Sequence, residues 1–206
     1  MRCLCFRARS DSADHPIASI APAPLKDSTS LEYDDPRIPL TKKQKFILTK
    51  NWKGIARDVT EAGANMFVKM LSENTDYYRM FAFRDVAEST KEEQLRDEKL
   101  RGHGETVMGL IGDMICSIED GDKFFSIVKQ SGRNHAYKKY FQPEMFWKME
   151  QPFLFAVKLT LGERYTDNMD HIYKVVIHLI IQKMEEACKD EFKRLQNNGS
   201  LANGQQ

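Results

Sequence analysis

From Thr41 to Leu195, apolar residues recur at every third or fourth position, and no stretch alternates as a half-buried strand would. That pattern confines the chain to an all-α architecture, in which each helix must bury one stripe against its neighbours. With 206 residues, there is room for one domain and its tails. A hydrophobic fraction of 41% is enough for a genuine core. Lysine plus arginine number 31 against 30 acids, so nothing electrostatic points to nucleic acid as a partner.

The sequence divides into a flexible N-terminal tail (1–37), a helical domain (38–194) and a disordered C-terminal tail (195–206). Four of the seven prolines fall in the first tail. The first helix is expected to start at Thr41, with Gln44 as its reciprocal cap and apolar residues at Phe46, Ile47, Leu48, Trp52 and Ile55. A second helix should span about Asp58 to Ser72, followed by the aromatic run Tyr77 to Phe83 and a charged, flexible segment from Arg84 to Arg96. The next, Asp97 to Ser117, carries an inward stripe of Leu100, Val107, Leu110, Ile111 and Met114. Its four glycines cost about 3–4 kcal/mol of helix propensity against alanine, which suggests close backbone contact with another helix or a ligand. Lys123 to Tyr137 reads as a shorter helix. Another opens at Pro143 and ends at Gly162, with Pro152 bending it or shifting its start. The last begins near Thr166.

Five histidines need an account. His15 lies in the tail. His171 and His178 share a helix side but are separated by about 10 Å of axial rise, too far to ligate one ion, so both read as surface residues. His103 falls in the apolar stripe one turn before Val107, and His135 lies on a different helix. Periodicity alone says only that two inward histidines lie on different helices, and a hydrogen-bonded core residue would look the same.

The ordered set Trp52, Gly63, Phe67, Phe81, His103-Gly104, Val107, His135 resembles the globin family, most closely its neuron-type and cytoglobin-like invertebrate members. His103 stands 22 residues after Phe81 and 32 before His135, and Gly132-Arg133-Asn134-His135 resembles the run that precedes the proximal histidine in that subgroup. The resemblance implies a globin fold of six to eight helices around one haem b. His135 would be the proximal iron ligand and His103 the distal residue and a candidate sixth ligand, with Phe67, Phe81, Val107 and Phe146 walling the macrocycle. It implies O2, CO, NO or similar small ligands at the iron, and a reductase of unspecified kind. Any enzymatic activity would be redox chemistry at the haem iron. Three readings stay open: a redox-active six-coordinate globin, a five-coordinate oxygen carrier, and a haem-free interaction domain. The sequence departs from the family pattern at Thr75, Thr106, Ser131 and Pro152. Thr106 stands where a basic partner for the haem propionates is common, and Ser131 offers a hydroxyl near His135.

Cys3 and Cys5 lie among Arg2, Arg7 and Arg9. Two acyl chains beside basic residues would anchor the tail to a membrane, whereas unmodified thiols would leave the protein free in the cytoplasm. No apolar run reaches the length of a membrane span.

Overall fold

The computed structural model describes residues 33–203, and they contain seven α-helices and no strand. The all-α expectation is borne out. Helix α1 (Lys42–Ile55) opens on the expected capping box. The Gln44 side chain accepts from the Thr41 amide at 2.9 Å, and the Thr41 hydroxyl accepts from the Gln44 amide at 3.3 Å. Its buried stripe is Lys45, Leu48, Trp52 and Ile55. Phe46, an apolar residue of the same helix, is 61% exposed. One residue turns a helix by about 100°, and the long aliphatic stem of Lys45 occupies the inward position instead.

Helix α2 (Val59–Glu73) and helix α4 (Glu98–Cys116) cross at two glycines. A Cβ on Gly104 would sit 2.5 Å from the carbonyl carbon of Gly63, and one on Gly63 would fall inside the Gly104 carbonyl. Both positions therefore exclude any side chain, and the backbones touch. Polar pairs flank the crossing. Thr60 donates to Glu105 at 2.8 Å, and Arg101 meets Glu61 at 2.9 Å.

The segment between these helices is not the loose connection the sequence suggests. A 3-10 turn starts at Thr75 and runs to Met80, another covers Arg84–Val86, and the short helix α3 (Lys91–Gln94) has its own capping box from Thr90 and Glu93. Regularity was hidden because each element is only one or two turns long, too short to show a period.

Helix α5 (Gly121–His135) packs along helix α7 (Asp167–Asn203). The contact is closest at Gly132, where a Cβ would lie 2.9 Å from the Met184 Cα. Pro143 opens a 3-10 segment to Met149, and helix α6 (Glu150–Leu161) follows. Pro152 is thus the third residue of α6, where a missing amide costs no intrahelical bond. Gly162 ends α6 with φ of +54°, as a residue without a Cβ readily does.

Two boundaries differ from the sequence reading. Asp35 and Arg37, read as part of the tail, pair with each other, and Arg37 reaches Asp122 at the start of α5. At the other end, α7 continues past Leu195 to Asn203, each residue adding one backbone bond to a helix already nucleated. Residues 1–32, with Cys3, Cys5 and His15, lie outside the described residues.

Candidate functional site

His103 lies on α4, one residue before the Gly63–Gly104 contact, so the closeness of α2 and α4 decides what its ring meets. It meets phenylalanines. Phe67 from α2 is 4.7 Å away between ring centroids, Phe81 is at 5.2 Å, and Phe83 is at 5.8 Å. The two rings from the connecting segment stack on each other at 4.8 Å, and the edge of Phe67 closes on Phe81 at 5.7 Å. Val107, one turn further along α4, is half-buried and packs against the core. Phe83 was not singled out from the sequence. It stands in the quoted aromatic run, but an irregular segment gives no period from which to tell inward from outward.

His135 is the last residue of α5. Its Nδ1 lies 2.8 Å from the Ser131 carbonyl oxygen, a bond in which the ring nitrogen donates. Of the carbonyl or hydroxyl expected as partner of this nitrogen, the backbone carbonyl makes the contact, because residues four apart in a helix stack one above the other. Fixing the proton on Nδ1 leaves Nε2 with a free lone pair. Phe146 and Phe141 flank the ring at 4.8 and 4.9 Å and pack on each other at 4.8 Å. Phe141 also escaped the sequence reading. It follows Tyr140, whose positive φ of 67° turns the chain back towards the histidine.

Burial pushes the pKa of His103 down, and the nearby charges of His135 and Lys138 push it the same way. Burial likewise lowers the pKa of His135, against the opposing pull of the Ser131 carbonyl, and Lys138 again adds to the fall. Both imidazoles are therefore held in the neutral form that serves as a metal ligand. Each lies within electrostatic reach of Lys138, and His103 lies within reach of His135. Thr106 contributes nothing to the pocket: it is exposed and donates to the Gly102 carbonyl at 2.8 Å. His171 and His178 are surface residues, as read from the sequence, with His178 set against Trp147 and 3.7 Å from Glu150.

Among the described residues, no cluster of three His, Cys, Asp or Glu could enclose a metal ion. Two imidazoles in an aromatic box can supply only two donors. An ion held there must bring its other ligands with it, as the iron of a porphyrin does. The globin family model matches residues 64–184, a span that contains both histidines and the aromatic rings around them.

The chain belongs to the globin family.

Among its relatives is cytoglobin-1 of Oryzias latipes, to which this globin is 25% identical over 134 residues, 64% of this chain and 71% of that one. A globin of Nerita albicilla is 25% identical over 125 residues, covering 55% of this chain and 76% of that protein. Among solved structures, the hexacoordinated haem protein of an anhydrobiotic tardigrade superposes with a TM-score of 0.70 at 30% identity, covering 75% of this chain and 99% of that one. The family match begins at Ala64, so the α1 helix of this globin, with Trp52, falls outside it. Trp52 still does structural work. It stacks on Phe153 at 6.4 Å and lies so close to Gly112 that a Cβ there would be 2.6 Å from the indole nitrogen.

Proposed function

We propose that this globin binds haem b between α4 and α5, with His135 as the proximal ligand and His103 as the sixth ligand of the resting ferrous state. The observation that carries the reading is the unequal pair of neutral histidines, one anchored by a hydrogen bond and the other enclosed by phenylalanines. Haem supplies, when bound, an iron that exchanges an electron and takes diatomic ligands such as O2, CO or NO. The protein's part is then as follows. The Ser131 carbonyl holds His135 in the tautomer that presents Nε2 and raises its basicity. Phe67, Phe81, Phe83, Val107, Phe141 and Phe146 keep water from the site. Lys138 offers the positive charge for the haem propionates that Thr106 lacks.

If His103 also held the iron, it would compete there with external ligands such as O2 or CO. This favours electron transfer or redox signalling, with a reductase as partner, over bulk oxygen storage. The likeness to a hexacoordinated haem protein supports the same choice. Among the described residues no helix is long and apolar enough to cross a membrane. Acylation of Cys3 and Cys5 would give the chain a membrane anchor. Replacing both with serine should release a membrane-bound pool and leave the absorption spectrum unchanged.

The decisive experiment is the visible spectrum of the purified ferrous protein without added ligand. A low-spin, six-coordinate spectrum with sharp bands is expected. A high-spin, five-coordinate spectrum would restore the simpler oxygen carrier, and a colourless protein that takes up no added haem would leave only an interaction domain.

A further inference from the structure

Gln94, the last residue of α3, is a buried polar side chain inside an otherwise charged and exposed segment. Its carboxamide is fully used. Oε1 accepts from the Tyr78 hydroxyl at 2.8 Å, and Nε2 donates to the carbonyls of Ser89 at 3.0 Å and Val86 at 3.2 Å. Two carbonyls and one hydroxyl call for two N–H donors and one acceptor, so the amide has one workable orientation. Glutamate has the same shape and no donors. The backbone carbonyl of Gln94 also accepts from Asp97, the residue whose side chain caps α4.

These bonds join both ends of the stretch from Tyr78 to Val86, which carries Phe81 and Phe83. Within it, the Phe81 amide donates to Tyr78 at 3.0 Å, Arg84 to Phe81 at 3.3 Å and Val86 to Phe83 at 3.2 Å. The closed stretch offers His103 two of the three rings that enclose it. We infer that Gln94 is a positioning residue for His103: by closing the Tyr78–Val86 stretch, it sets how firmly Phe81 and Phe83 hold the imidazole at the sixth position. The inference rests on the bis-histidine reading above. No part of Gln94 touches His103, and its influence passes through the two phenylalanines.

The test compares the full-length wild type with Gln94→Glu and Tyr78→Phe. Gln94→Glu removes both donors and sets a carboxylate against two carbonyls. Tyr78→Phe removes one hydroxyl and keeps the ring, so it carries the test if the first variant does not fold. Exchange of the Phe81, Arg84 and Val86 amides, measured with and without haem, should be about three- to tenfold faster in Tyr78→Phe, the effect of one net hydrogen bond, and faster still in Gln94→Glu. CO association with the ferrous proteins should rise in the same order, because His103 leaves more often. A five-coordinate wild type would overturn the ligation reading together with this inference. A six-coordinate wild type whose variants exchange faster yet bind CO at the wild-type rate would overturn this inference alone, leaving Gln94 with a merely structural role. Unchanged exchange would overturn it equally.

Discussion

His135 closes α5 with its Nδ1 on a carbonyl one turn back, and α5 is itself fixed to α7 at two places. One is the backbone contact at Gly132, and the other is a cluster in which Tyr137 and Arg194 both donate to Glu191. His103 is held differently. Its helix is fixed just as tightly, through Gly104 on Gly63, but its ring rests against Phe67, Phe81 and Phe83. Edge and tilted aromatic contacts are each worth about 0.5–1.5 kcal/mol and tolerate rotation, whereas a hydrogen bond to a carbonyl fixes both angle and tautomer. The lesson is one of division of labour. Rigid helix crossings serve both sides, while ring freedom is withheld on the α5 side and allowed on the α4 side.

The most severe break in that comparison is His135→Ala. The variant should fail to retain haem through gel filtration, since α5 carries no other histidine. Full haem content with the wild-type spectrum would count decisively against the assignment. His103→Leu should retain haem, with a five-coordinate ferrous spectrum. If His103 holds the sixth position nine-tenths of the time or more, CO association should rise on the order of tenfold or more, because the competent fraction limits the wild type. Equal loss of haem in both variants would erase the distinction between the two sides.

Helices were legible from period alone where they are long. For α4, the expected span of Asp97 to Ser117 differs from the observed one by a residue at each end, those two residues being the caps. What escaped had physical reasons. Lys45 is buried in α1 beside an exposed Phe46, because a long aliphatic stem can fill a core position that charge alone would assign to the surface. Phe83 and Phe141 stand in irregular turns, where inward and outward faces have no sequence signature. Gln94 was hidden in a run of charges, since a buried amide is recognised by its partners and not by its neighbours in sequence. The site itself was legible mainly through the ordered resemblance. Periodicity put two inward histidines on different helices, but nothing in the spacing distinguished either from a hydrogen-bonded core histidine.

Glycines sharpen the comparison further. Gly132→Ala should destabilise the protein by about 2–3 kcal/mol, the upper part of the overpacking range, because the added carbon meets backbone that cannot move aside. Gly104→Ala should cost a similar amount, as both helix crossings are rigid. Gly109 faces open space, so Gly109→Ala should stabilise α4 by about 0.5–1 kcal/mol through helix propensity. Urea unfolding midpoints would report all three. A neutral Gly132→Ala would show the α5–α7 contact to be looser than its geometry implies.

The smallest effect concerns the Glu191 cluster, and its sign follows from linkage. Hydrogen bonds from Arg194 and then Tyr137 lower the Glu191 pKa from 4.5 to about 2 in the folded chain, outweighing the opposite pull of burial. The unfolded chain therefore binds more protons than the folded one between those values, and stability rises with pH there. The contribution is complete above about pH 4.5 and fades as pH falls towards 2. Wild type should accordingly be more stable than Glu191→Gln at pH 7, with the gap narrowing between pH 4.5 and 3 and unchanged between pH 6 and 8. Its partner Arg194 is half-exposed to solvent, so added salt should also shrink the gap. His103 lies outside this cluster, so the CO association rate of Glu191→Gln should match that of the wild type. A stability gap independent of pH down to 3 would mean that shape, and not charge, ties Tyr137 to α7. A changed CO rate would instead show that the anchoring of α5 reaches across to the freer histidine, and the two sides would then be coupled.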